Sequence, residues 1–384
     1  MTIGILAAVL LAMEAAQASG ACATTTALEG PCAVEAEGLT LADVQAVGTH
    51  NSYKIAIPAP ELAMIAATDP QAAAGLDYAH APLAAQLDMG MRQLELDLFY
   101  DPVGGRYADP LLPRAAAGME GARAFDPEPM QAPGFKVFHT QDIDVWTHCP
   151  RFTACLETIE AWSQANPDHV PLLILLNLKT GSIPAPGSTA ALDFTPEAFA
   201  AMDAEIRSVI APDAMITPDE VRGAAETLRE AVITQGWPAL DDARGKLIFA
   251  LDTGAGNVST YLEGAPSLQG RVAFVNSLSE DADHAAYFTL NDPEAQGARI
   301  RAAVEAGFLV RTRADANTVE ARTNDTERRE AAFASGAQYI STDYPTPRLE
   351  WSNYAVVAPG GAPARCNPVR LDDQCRPSRE GASR

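Results

Sequence analysis

Short apolar runs alternate along this chain with alanine-rich stretches of helical period. Eight of the runs have the length and composition of buried strands: Val44–Gly48, Gln93–Leu98, Lys136–His139, Leu172–Leu178, Lys246–Leu251, Val272–Val275, Phe308–Arg311 and Gln338–Ser341. Several are continuous rather than alternating, as expected of parallel strands covered on both faces. Between them, Thr195–Ile210, Asp292–Ala306 and Thr318–Ser335 show helical spacing, and Pro196 and Pro293 stand near two of the starts, where helices favour proline. Strand alternating with helix implies right-handed βαβ units. Eight such units predict an α/β fold, a single-domain (β/α)8 TIM barrel.

The barrel is expected over residues 41–358, after an N-terminal extension at 21–40 and before a polar C-terminal tail at 359–384. A long loop rich in Pro, Gly and Ala, Tyr100 to Gly134, follows strand 2; such a loop is usually functional or ordered as a lid. Residues 1–20 read as a secretory signal peptide: an apolar run from Ile3 to Met13, then small residues including Ala16-Gln17-Ala18. That run is too short for a comfortable transmembrane helix. The expected location is therefore secreted or periplasmic. Six cysteines fall into three local couples, which in an exported chain favours disulfides Cys22–Cys32, Cys149–Cys155 and Cys366–Cys375.

Composition narrows the function. A formal net charge of −23 repels polyanions, so nucleic acid is not an expected partner, and bulk adhesion to anionic membranes is disfavoured. An anionic substrate needs a local island of positive charge. Lysine is confined to Lys54, Lys136, Lys179 and Lys246, three of them beside predicted strand ends.

The strand ends are where a barrel gathers its chemistry. Strand 1 ends in Thr49-His50-Asn51-Ser52-Tyr53, strand 2 contains Leu94-Glu95-Leu96-Asp97, and strand 3 ends in Phe138-His139-Thr140. Period two puts Glu95 and Asp97 on one side of their strand, pointing into the mouth, where two anions repel unless a cation joins them. Two histidines suit proton transfer near neutral pH. The asparagine adds a neutral oxygen, and the oxygen set suits a hard divalent cation acting as a Lewis acid. Asn177 and Lys179 share a face at the end of strand 4, offering another oxygen and an ammonium for phosphate. Arg311 and Asp343, ending strands 7 and 8, are read either as substrate contacts or as an ion pair at the mouth.

Taken together, His50-Asn51, Glu95-x-Asp97, His139, Asn177-x-Lys179 and Thr342-Asp343-Tyr344-Pro345 resemble the phosphatidylinositol-specific phospholipase C superfamily of TIM-barrel phosphodiesterases, and within it the bacterial calcium-dependent group. The likeness spans about Leu41 to Trp351. It implies a phosphoric diester hydrolase that cleaves a phosphodiester or phospholipid through a cyclic inositol phosphate, touching membranes transiently. It also implies calcium (magnesium being the alternative) at Asn51, Glu95, Asp97 and Asn177. His50 and His139 would be catalytic, with Lys179, Arg311 and Asp343 binding substrate. Many relatives have glutamate where Asn177 stands, so weaker calcium binding is expected. Two other readings are a glycerophosphodiester phosphodiesterase, which usually has His-Arg in place of His50-Asn51, and an inactive secreted calcium-binding module.

Overall fold

The computed structural model describes residues 27–30, 33 and 37–371. The expected signal peptide, the Cys22–Cys32 pair and Cys375 lie outside the described residues. Eight parallel strands form the barrel: β1 (Val44–Thr49), β2 (Gln93–Phe99), β4 (Leu172–Leu178), β5 (Leu247–Asp252), β6 (Ala273–Val275), β7 (Tyr287–Thr289), β8 (Leu309–Arg313) and β9 (Tyr339–Thr342). Their order is β6-β5-β4-β2-β1-β9-β8-β7. A parallel bridge between Asn276 and Tyr287 joins the two ends of that path. The remaining strands are antiparallel additions: β3 (Lys136–Val137) on β2, and β10 (Ala364–Cys366) on β1.

Two strands depart from the sequence reading. Lys136–His139 is not a barrel strand; only Lys136 and Val137 are extended, and they run antiparallel to Leu98 and Phe99. The missing member is Tyr287–Thr289, three residues long and separated from β6 by a segment without a helix. Neither a long apolar run nor a preceding helical period marks it.

The core is built from the continuous strands: Leu172 to Leu176 are each fully buried. Helices cover them outside. Pro196–Val209 starts where Thr195 Oγ1 accepts the Ala198 amide, and Pro293–Glu305 where Asp292 Oδ1 accepts the Ala295 amide. These caps satisfy amides that helix starts otherwise leave unpaired. The helical stretch expected over 318–335 is two helices, Val319–Thr323 and Glu327–Ser335, because Asn324 turns left-handed at φ 55 between them.

The long loop after β2 is ordered. It holds helices Leu111–Ala116 and Glu128–Gln131 and is closed at its base by Gly134 N donating to Asp101 O at 2.8 Å. The Cys149–Cys155 disulfide is present, and Cys366 is disulfide-bonded to a partner outside the described residues.

Candidate active site

The turn at the end of β1 is sewn to both neighbouring strands. His50 N donates to Thr342 O at 3.0 Å, Ser52 N to Glu95 O at 3.0 Å, and Glu95 N to Ser52 Oγ at 2.8 Å. Gly48 is required just before this turn, since a Cβ there would lie 2.4 Å from Gln93 Cβ and O. Asn51 is left-handed at φ 48, a conformation asparagine tolerates better than most residues. The turn swings residues 53–55 into antiparallel pairing with 146–148: Ile55 N donates to Trp146 O at 3.1 Å and His148 N to Tyr53 O at 2.8 Å. This pairing brings the His139 loop to the mouth although His139 is not on a barrel strand.

Both histidines are oriented by a buried carboxylate. His50 Nδ1 lies 2.8 Å from Asp343 Oδ1, and His139 Nδ1 lies 3.0 Å from Asp144 Oδ2. In each ring Nδ1 is the nitrogen so engaged. The two rings line one cleft of about 510 Å3, together with Tyr78, Arg313 and Asp343. Arg313 Nη2 donates to Asp343 Oδ2 at 3.1 Å, and its Nη1 stands 3.3 Å from His50 Nε2. Burial, then Arg313, lower the basicity of His50 against the opposing pull of Glu95 and Asp343. Burial works against ionisation of Asp343, but His50 and Arg313 outweigh it and hold that carboxyl at about 2.

Glu95 and Asp97 point inward beneath the cleft and are buried. Glu95 Oε2 takes Arg311 Nη2 at 2.5 Å, while Oε1 stands 3.7 Å from His50 Nε2. Burial would raise the Glu95 carboxyl, but Arg311, His50, Arg313 and Lys179 together hold it below the usual range. Asp97 Oδ2 pairs with Lys179 Nζ at 2.8 Å. Asn51 Oδ1 and Asp97 Oδ1 are among the buried oxygens with no hydrogen-bond partner. An unpaired buried oxygen is costly, and a cation would relieve both. Among the described residues no three His, Cys, Asp or Glu side chains form a metal cage on their own. The donor set is therefore mixed: amide and carboxylate oxygens, as a calcium ion accepts. On those two oxygens the site fits calcium.

Other expected residues stand elsewhere. Arg311 does not reach the cleft: it is sunk in the barrel, bonded to Glu95, Asn291 Oδ1 at 2.5 Å and Ser341 Oγ at 2.9 Å. The ion pairs are Arg311–Glu95, inside the barrel, and Arg313–Asp343, at its mouth, not Arg311–Asp343. Lys179 is tied to Asp97, and Asp343 serves His50. Asn177 sits between Asp97 and Asp252 in the strand register and lines a separate depression with Asp252, Thr180 and Asn257. Burial, reinforced by Glu95 and Asp97, pushes Asp252 up to about 6.

Three side chains that contact the two histidines were absent from the sequence reading as site residues. Arg313 shares the inward face with Arg311, so period two pointed to both; the layer that reaches the mouth is the later one. Asp144 lies in a tight turn whose amide bonds Thr140 O at 2.9 Å, and its distance of five residues from His139 was the available signal. Tyr78 accepts Asn51 Nδ2 at 2.7 Å and stacks on His50 with ring centroids 6.2 Å apart; nothing in its surrounding sequence marks it.

No curated protein matches the chain significantly. Among solved structures, the calcium-dependent phosphoinositol-specific phospholipase C from the Gram-negative bacterium Pseudomonas sp, as its myoinositol complex, is 16% identical with a TM-score of 0.53, covering 88% of this chain and 99% of its own. An apo crystal form of that enzyme is 15% identical with a TM-score of 0.51, covering 86% and 96%. At such identity these likenesses bear on the fold. The family described as "Phosphoinositide phospholipase C, Ca2+-dependent" matches residues 39–368, nearly the whole described chain. The chain belongs to the calcium-dependent phosphoinositide phospholipase C family, a group of phosphoric diester hydrolases.

Proposed function

We propose that the protein cleaves the phosphodiester of an inositol phospholipid by attack of the neighbouring ring hydroxyl, releasing a cyclic inositol phosphate and a diacylglycerol. The observation that carries this reading is the single cleft onto which two carboxylate-backed imidazoles open. Burial and then Arg313 favour the neutral ring of His50, whose Nε2 takes the proton of the attacking hydroxyl. As an imidazolium, backed by Asp343, it then stands against the phosphoryl oxygens beside Arg313, whose charge is permanent. His139, held by Asp144, gives a proton to the departing glycerol oxygen. Asn51, Glu95 and Asp97 would hold calcium, which when bound supplies positive charge and Lewis acidity to the phosphate.

The lipid is met at a surface. Val103, Met119, Leu278, Val319 and Leu349 are large, apolar and exposed, and all lie on segments that follow barrel strands, on the mouth side. They supply transient apolar contact, in keeping with a chain whose net charge disfavours electrostatic adhesion. Among the described residues no helix is long and apolar enough to cross a membrane. Export to the periplasm or medium is part of this proposal, supported by the N-terminal apolar run, and is checked by cell fractionation.

The function is tested by hydrolysis of a soluble chromogenic inositol phosphodiester with calcium or with chelator. Calcium-dependent turnover supports it. Equal turnover of a diester lacking a neighbouring hydroxyl would favour the glycerophosphodiester chemistry instead.

A further inference from the structure

Lys54 takes no part in the steps above, yet it is wholly buried. A buried ammonium costs several kcal/mol unless it is paired and hydrogen-bonded. Its Nζ lies 2.5 Å from Asp144 Oδ2. The same oxygen lies 3.0 Å from His139 Nδ1, while Asp144 Oδ1 has no hydrogen-bond partner. One carboxylate oxygen therefore serves both the ammonium and the imidazole ring. The lysine is fixed there by the backbone: Lys54 N donates to Asn51 O at 2.9 Å, closing the turn that follows His50. Its Nζ also stands 5.1 Å from the centre of the Tyr78 ring.

We infer that Lys54 is a positioning residue for proton donation: its ammonium shares Asp144 Oδ2 with the His139 ring, holds the carboxylate in place and keeps it from retaining the ring's proton. The inference rests on the proposed role of His139 as the acid. A buried carboxylate with an imidazole as its sole counter-charge favours the imidazolium, and a donor that clings to its proton is a poor acid. The Lys54 ammonium on the same oxygen offsets that pull. The charge on Asp144 is secured by this arrangement: burial acts to raise the carboxyl, but Lys54 first and His139 next hold it below the usual range.

Other charged groups near the ring have partners of their own. Across the cleft, Arg313 is paired with Asp343, and His50 bonds the same carboxylate. Arg322 pairs with Asp77, and Asp69 caps the helix at Pro70–Leu76. Glu61, from the helix at Ala59–Thr68, accepts Trp146 Nε1 at 2.8 Å. Tyr53 and Tyr78 are neutral phenols near Asp144, kept so chiefly by burial. Among the described residues, Lys54 alone shares the oxygen that orients His139.

The test compares Lys54→Met, Lys54→Arg, Asp144→Asn, the Lys54→Met/Asp144→Asn double variant and His139→Ala. The readouts are kcat and KM against pH on the soluble inositol phosphodiester, and titration of the His139 ring by proton–nitrogen NMR. In Lys54→Met the ring should titrate at higher pH, the alkaline limb of kcat should move up with it, and kcat near pH 7 should fall about tenfold or more with KM little changed. Lys54→Arg should restore most of the activity. The double variant, which removes the buried charge and so guards against misfolding, should lose nothing beyond Asp144→Asn, because the lysine acts through that carboxylate. A folded Lys54→Met protein with an unmoved ring titration and kcat profile overturns the inference, as does a further tenfold loss in the double variant. Near-normal turnover of His139→Ala would instead overturn the assignment of the acid itself.

Discussion

His50 and His139 reach one cleft from different elements, and what makes them a pair is the carboxylate behind each ring. Asp343 and Asp144 each engage Nδ1, so in the proposed mechanism removing either imidazole removes a placed proton carrier rather than a loose side chain. His50→Ala and His139→Ala should each lower turnover by at least about 10²-fold with the melting temperature nearly unchanged. Near-normal turnover with either variant would take that residue out of the mechanism. Asn51 matters for a different reason: its Oδ1 is buried without a partner in a left-handed backbone position. Asn51→Gly keeps the backbone comfortable and deletes the oxygen, together with the Nδ2 that donates to Tyr78. Calorimetric titration should show calcium binding at least about tenfold weaker, or about 1.4 kcal/mol; an unchanged affinity would put Asn51 outside the calcium site. At this scale the sequence was informative where period two applied. Glu95 and Asp97 were legible on one face of β2. Arg311 and Arg313 were not separable, because both face inward and only depth in the barrel distinguishes them.

The elements that carry these residues depend on close strand packing and short turns. β1 can approach β2 only because residue 48 lacks a side chain. Gly48→Ala would push a methyl group into Gln93, with a cost of about 1–3 kcal/mol in a packed interior. Gly256 stands in the helix Ala255–Tyr261 with open space around its Cα, so Gly256→Ala should instead stabilise by up to about 1 kcal/mol. Equal denaturation midpoints for the two variants would contradict the packing argument. Seven of the barrel strands were readable as apolar runs because long continuous burial leaves a strong signal. Tyr287–Thr289 was not, since three residues without a preceding helix look like loop. Lys136–His139 misled because an apolar run beside a polar end also describes a two-residue edge pairing. The loop carrying His139 is positioned by the 53–55 and 146–148 backbone pairing, which joins distant parts of the sequence and has no local signature.

For the molecule as a whole, the mouth side concentrates titratable groups, and pH should reveal it. His80 Nε2 donates to the His50 carbonyl at 2.8 Å, and burial above all, against the pull of Asp343, lowers its imidazole to about 4. The folded state thus binds fewer protons than the unfolded chain between the ordinary histidine value near 6.5 and about 4. Stability should therefore be full above that window and fall as pH drops through it, by about 3 kcal/mol in all. His80→Asn should flatten this part of the denaturation curve; an equal loss in the variant would assign it to other groups.

The account as a whole turns on a cation-assisted displacement by a neighbouring hydroxyl. Phosphorus NMR of phosphatidylinositol incubated with the protein tests it most directly. With calcium present, a five-membered cyclic phosphodiester should appear first, and with chelator the lipid should stay intact. A phosphomonoester formed with no cyclic precursor, or cleavage that proceeds unchanged in chelator, would contradict it.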